Sequence, residues 1–140
     1  MTLAEILHHA PPRLAAIPDQ AASLRSGEGR WSKKEILGHL IDSASNNHQR
    51  FVRAQIAPHV GLPSYQQESW VRLQAYQDAP WSDLVELWLL YNRHLDRVIA
   101  HVQPEALSHT ISLDGRPPVT LSFLIEDYIR HLEHHLKQIL

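Results

Sequence analysis

Apolar residues recur at three- and four-residue spacing in three long stretches of this chain, and that spacing is the strongest constraint on what it can build. A helix turns about 100° per residue, so residues at this spacing gather on one side of it. The first stretch places Ile36, Leu37, Leu40, Ile41, Ala44, Phe51 and Val52 on one face. The second does the same with Leu84, Leu87, Trp88, Tyr91, Leu95 and Val98. The third aligns Leu121, Leu124, Ile125, Tyr128, Leu132, Leu136 and Ile139. Each stripe is wide enough to face a common core. With a shorter N-terminal helix they predict an all-α chain packed as a four-helix bundle. At 140 residues the chain reads as one domain over 1–140, with no repeat or linker.

Breakers and caps place the helix ends. Thr2 with Glu5 three residues later forms a capping box for the first helix, and Pro11-Pro12 is expected to interrupt or bend it. Pro18 to Arg30 reads as a polar connector punctuated by Gly27 and Gly29. The next helix opens on WSKKEI: Ser32 caps, Glu35 reaches back, and Trp31 is placed to pack on Ile36. It is expected to run to about Ala57, before Pro58, Gly61 and Pro63. Tyr65 to Ala79 reads as a short helix or loop. Ser82 is expected to cap a third long helix over Asp83 to His101. The segment LSHTISLDGRPPVTLS has a strand-like alternation around an Asp-Gly turn and is read as a loop. The last helix is expected from about Ser122 to Leu140.

Charge and composition exclude several classes. A formal net charge of -2 is no basic field for nucleic acid. The absence of cysteine removes disulfides, thiolate nucleophiles and thiolate metal ligands. No apolar run approaches a membrane span, and the N-terminus lacks the pattern of a signal peptide. The expectation is a soluble, cytoplasmic protein. The unusual feature is 11 histidines, since histidine is both the commonest metal ligand and a group that titrates near neutral pH.

Three of those histidines crowd into RHLEHHLKQIL at the end of the last helix. His131 and His135, four apart, sit one turn above each other at the edge of the apolar stripe, whereas His134 points away toward solvent. Two imidazoles at this spacing can converge on one divalent ion, although such pairs also arise by chance in a histidine-rich helix. A third ligand has to come from another helix, and His39 in EILGHLIDS lies at a comparable edge. Gly38 before it costs about 1 kcal/mol against alanine in mid-helix, which makes sense if something approaches the backbone there. A partly buried histidine bonded to a carboxylate is the alternative for His39.

The combination of Trp31-Ser32, Glu35-Ile36, Gly38-His39-Leu40 and Asp42-Ser43 with His131, His135 and Gln138-Ile139 resembles the DinB-like (DinB/YfiT-type) family of four-helix-bundle proteins. The resemblance covers essentially the whole chain, and GHLIDSASNNHQRF is its most family-like piece. It implies a divalent metal, zinc or nickel by expectation, held by His39, His131 and His135. It further implies a metal-dependent enzyme, either a hydrolase or a transferase that activates a low-molecular-weight thiol. The alternative is a bundle that binds a metal or small ligand without turnover, as a stress-related or sensor module. The expected partner is a small-molecule substrate, which a thiol would satisfy, with homodimerisation through apolar helix faces as a family trait.

Candidate helpers are Asp42, Asp127 and Tyr65. Asp127, one turn before His131, can orient that ring or stand as a solvated carboxylate. Asp42, three residues after His39, can approach the site or serve as a surface charge or an interhelical salt bridge. Tyr65, Trp70 and Tyr76 can cap the site or simply pack a crossover over the bundle end. Asn46 and Arg50, on the His39 side, can bind a carboxylate or phosphate or make interhelical hydrogen bonds. His94 and His101, seven apart at the rim of the third helix, could form an accidental second metal site but read as a solvated face.

Overall fold

The computed structural model describes residues 1–140. Helix α1 spans Leu3–Ala15 and α2 is the short turn Asp19–Ala22. Helix α3 runs Lys33–Ile56. Strand β1 (His59–Leu62) follows, then α4 (Gln67–Leu73) and a 3-10 turn at Tyr76–Asp78. Helix α5 is Trp81–Ala100, and a second 3-10 turn covers Pro104–Ser108. Strands β2 (Thr110–Leu113) and β3 (Val119–Thr120) lead straight into α6 (Leu121–Ile139).

The long helices α1, α3, α5 and α6 form the bundle. Helix α3 packs against both α5 and α6, and α1 closes the ring by touching α5 and α6. Helices consecutive in the chain, α1 and α3, then α5 and α6, are therefore diagonal, and their connections cross the bundle. The core holds Leu14, Leu37, Leu40, Phe51, Trp88, Leu95, Leu121, Leu132 and Ile139, all essentially inaccessible. All seven apolar residues read on the last helix are buried. Val52 and Leu87 are not: they are 40% and 47% exposed. Each sits next to a larger aromatic, Phe51 or Trp88, that takes the core position, and the 100° step between neighbours turns it outward.

Both capping boxes form as read. Thr2 Oγ1 accepts from the Glu5 N–H and Glu5 accepts from the Thr2 N–H. Ser32 and Glu35 do the same at 3.2 and 3.1 Å. Three helix limits differ from the sequence expectation. Helix α1 continues through Pro11-Pro12, because buried Ala10 and Leu14 carry its stripe (Leu3, Ile6) across the prolines. The two missing donors cost less than unpacking that face. Helix α5 starts at Trp81 rather than after a Ser82 cap. Pro80 occupies the cap position, and the Trp81 N–H is bonded instead by Asp19 Oδ1 at 2.8 Å, a cap supplied from α2. Thr120, whose hydroxyl accepts from the Phe123 N–H, opens α6 one residue early.

The segment read as a loop is part of a three-stranded sheet. β1 pairs parallel with β2, His59 opposite Thr110, and β2 pairs antiparallel with β3. The Asp-Gly turn is real: Asp114 and Gly115 both take positive φ, at 52° and 71°, as a type I′ turn requires. The sheet has a positional role. It ties the C-terminal end of α3 to the start of α6 through Thr110 N–H to the Pro58 carbonyl (3.0 Å) and Leu121 N–H to the His109 carbonyl (2.8 Å). With those ends joined, α3 and α6 run antiparallel, and the beginning of α3 meets the end of α6. That is where His39, His131 and His135 lie. No helix is long and apolar enough to cross a membrane.

Candidate metal centre

His39, on the second turn of α3, is 1% exposed, while His131 and His135 on α6 are half-buried. His39 Nε2 lies 3.1 Å from His131 Nε2. Ring centroids are 5.0 Å apart for His39–His131, 4.9 Å for His39–His135 and 4.5 Å for His131–His135. One nitrogen from each ring falls within 4.8 Å of the other two, and no carboxylate belongs to the group. His134 is exposed and outside it.

Electrostatics keep His39 and His131 neutral. Burial, with the neighbouring His131 and His135 added, pushes the His39 pKa down to about 3. Burial and His135 push His131 down to about 4, against a small upward pull from Asp127. Neutral imidazoles present lone pairs, the state a metal requires. His135 Nδ1 donates to Gln138 Oε1 at 2.9 Å, which leaves Nε2 as the free donor atom and fixes the ring. Trp31 covers His39 from outside, with ring centroids 5.0 Å apart.

Gly38 has the function its position implies. A Cβ there would sit 2.2 Å from Tyr76 Cδ2, so the tyrosine ring lies flat on bare backbone. Tyr76 then donates its hydroxyl to Asp42 Oδ1 at 2.7 Å, and Gln74 Nε2 adds a second bond at 2.8 Å. Asp42 is thus neither a surface charge nor half of a salt bridge: it is 2% exposed, held by two neutral donors, and burial raises its pKa. Its Oδ2 is buried without a partner, and so is His39 Nδ1 three residues earlier on the same helix. The sequence flagged Gly38 but not its occupant, and Gln74 carried no signal at all.

The other candidates fall at different distances from the triad. Asp127 makes an ion pair with Arg130 at 3.0 Å and is largely solvated, with no bond to His131. Tyr65 is half-buried, its phenol pKa raised by burial. It lines a cleft of about 310 Å³ with His131, Ser43, Asn47 and Arg50. Trp70 packs on Tyr65 at 5.2 Å rather than on the triad. Asn46 folds back onto the Asp42 carbonyl at 2.9 Å, so the asparagine in the cleft is Asn47. His94 meets His48 edge to face at 5.1 Å, and His101 bonds the Arg97 carbonyl, so the two share no site.

Comparison with known proteins agrees with this architecture. The YfiT protein of Bacillus subtilis, described as "a probable metal-dependent hydrolase with an unusual four-helix bundle topology", superposes with a TM-score of 0.84 at 19% identity, over 98% of this chain and 81% of that one. The two proteins share the four-helix-bundle fold. A Bacillus mycoides protein named "Putative metal-dependent hydrolase" is 25% identical over 111 residues, 79% of this chain. That alignment spans 64% of the Bacillus protein's own length. An Oceanobacillus iheyensis protein of the same name is 22% identical over 124 residues, 89% of this chain and 71% of its own. The family model described as the DinB superfamily matches residues 2–139, and the chain belongs to that superfamily.

Proposed function

We propose that the chain is a metal-dependent hydrolase whose divalent ion is held by His39, His131 and His135. The observation that carries this reading is the convergence of three partly desolvated imidazoles from two helices, with one nitrogen of each within 4.8 Å of the others and with His39 and His131 held neutral by burial. The names of the relatives support it. The donor set fits: nitrogen ligands suit zinc or nickel, and three protein ligands leave a position for water or substrate, as in catalytic rather than structural sites. When bound, such an ion supplies a Lewis acid and a water that ionises near neutral pH.

The chain's own residues do the rest. His39 anchors the site in the core and Trp31 shields it from bulk water. Gln138 holds His135 in one tautomer. Tyr76 and Gln74 hold Asp42 behind the first ligand, and the Tyr76 ring seated on Gly38 fixes that part of the helix. The cleft beside His131 admits the substrate, with Tyr65 and Ser43 as hydroxyl donors on its wall. With no cysteine in the chain, the protein supplies no thiolate nucleophile, and a water held in the cleft is the nucleophile of this reading.

Metal-loaded protein should hydrolyse a panel of activated esters or amides, lose that activity on chelation and regain it on reloading. His39→Ala should be inactive under all three conditions. Turnover only of a low-molecular-weight thiol with an electrophile would replace hydrolase by thiol transferase. Activity unaffected by chelator and by His39→Ala would refute the metal-centred reading.

A further inference from the structure

The cleft that opens beside His131 contains a guanidinium that the protein itself does not neutralise. Arg50 is half-buried and forms no ion pair within 4 Å. Its one partner is Asn47 Oδ1 at 3.5 Å, the limit of a hydrogen bond. The nearby carboxylates are engaged elsewhere: Asp127 by Arg130 at 3.0 Å, and Asp114 by the Ser64 hydroxyl and N–H. Burial is the largest influence on Arg50 and disfavours its charge, while Tyr65, Asp114 and Asp127 favour it only from a distance. A desolvated cation without a counter-ion is costly to a fold and marks a place for a charged ligand.

Its position relative to the triad is fixed by helix geometry. His39, Ser43, Asn47 and Arg50 step down α3 at spacings of four, four and three, so all four share one side of the helix. Ser43, Asn47, Arg50 and His131 all line the same cleft, which joins the guanidinium to the triad at His131. Eleven residues of helix separate the His39 and Arg50 backbones by about 16 Å, and the length of the arginine side chain shortens the gap.

Resting on the metal-centred reading above, we propose that this cleft selects substrates carrying one carboxylate several bonds from the group that is cleaved, and that Arg50 binds that carboxylate. One half-buried guanidinium matches one negative charge, and its fork matches a planar carboxylate. The exposed Arg116 at the cleft's outer edge adds attraction without a fixed contact. Arg50 is therefore a specificity-determining residue rather than a catalytic one.

Two titrations test this and fail separately. On zinc-loaded protein, the monohydroxamates of glutaric, adipic and suberic acid are compared with their methyl esters, the hydroxamate serving as the metal anchor. For the chain length that fits, the free acid should bind about tenfold or more tightly than its ester. Arg50→Gln should abolish that preference while leaving ester affinity unchanged, and Arg50→Lys, which keeps charge and stem, should retain part of it. On metal-free protein, the Arg50 Nε–H resonance, identified by its loss in Arg50→Gln, should shift with hexanoate and not with hexanamide. Equal binding of acid and ester at every length, or a preference that persists in Arg50→Gln, overturns the assignment. A distal phosphonate that outcompetes the carboxylate overturns the single-charge match. If neither hydroxamate nor ester binds but the resonance still shifts with hexanoate, the metal reading fails and the anion site stands. If the hydroxamates bind without preference and the resonance is still, the anion site fails and the metal reading stands.

Discussion

Replacing Gly38 by alanine should destabilise the protein, although alanine is the better helix former. In an exposed helix interior the exchange gains about 1 kcal/mol. Here the new Cβ would stand 2.2 Å from Tyr76 Cδ2 and 2.3 Å from Cγ, far inside contact distance. The ring belongs to the tight turn Tyr76–Asp78 and is 7% exposed, so it has little room to retreat. Overpacking of this kind costs about 1–3 kcal/mol. Displacing the ring also breaks the Tyr76–Asp42 hydrogen bond, worth about 1.5–3 kcal/mol for a bond to a charged group. The net loss is about 2–5 kcal/mol. At roughly 3 °C per kcal/mol for a chain of this size, Tm should fall by about 5–15 °C. Chemical denaturation of four proteins forms the assay: parent, Gly38→Ala, Tyr76→Ala and the double variant. In the Tyr76→Ala background the obstacle is gone, and Gly38→Ala should become stabilising by about 1 kcal/mol. A Gly38→Ala protein as stable as the parent, or one whose effect is the same with and without Tyr76, would refute the reasoning.

Asp42→Asn should gain stability relative to the parent as pH rises. Burial raises the carboxyl's folded pKa above its ordinary 3.8, so the parent's stability is fully present below 3.8 and is lost as pH rises through the folded pKa. The amide has no such loss, and denaturation at pH 4 and pH 7 should show the difference between the proteins widening. A constant difference would mean that Asp42 is not desolvated. Leu132→Ala, at a core position 1% exposed between the two α6 histidines, should cost about 2–5 kcal/mol in the same assay. In metal-free protein the His39 and His131 imidazoles should stay neutral well below pH 6.5, where ordinary imidazoles protonate, because burial pushes them down to about 3 and 4. Imidazole resonances followed by NMR from pH 7 to 5 measure it, and protonation of either ring centred on pH 6.5 would contradict the burial of the site.

What could be read in advance and what could not follow from the range of the interactions. The two capping boxes and the α6 stripe depend on residues three and four apart, so Thr2, Ser32 and Leu121 to Ile139 could be placed without tertiary information. The histidine triad was legible for the same reason: His131 and His135 are local neighbours, and only His39 had to be brought in from another helix. Features set by distant partners were hidden. Strand β1 is four residues between two prolines and becomes a strand only by pairing with residues about fifty positions later. The start of α5 depends on Asp19 in α2. The burial of Asp42 depends on Tyr76 and Gln74, which a periodicity argument along α3 does not contain. Val52 and Leu87 show the limit of the stripe itself: it gives the width of an apolar face, while the neighbours decide which edge is covered.

The central claim is that three histidines on two helices hold one metal ion, and the most direct measurement is metal content. Protein purified without a histidine tag, and reloaded with zinc or nickel, should carry close to one equivalent by elemental analysis. His39→Ala and His135→Ala, each shown to be folded, should carry almost none, because each removes one donor of a site that spans α3 and α6. A parent that binds no metal after loading, or variants that retain the parent's stoichiometry, would contradict the account.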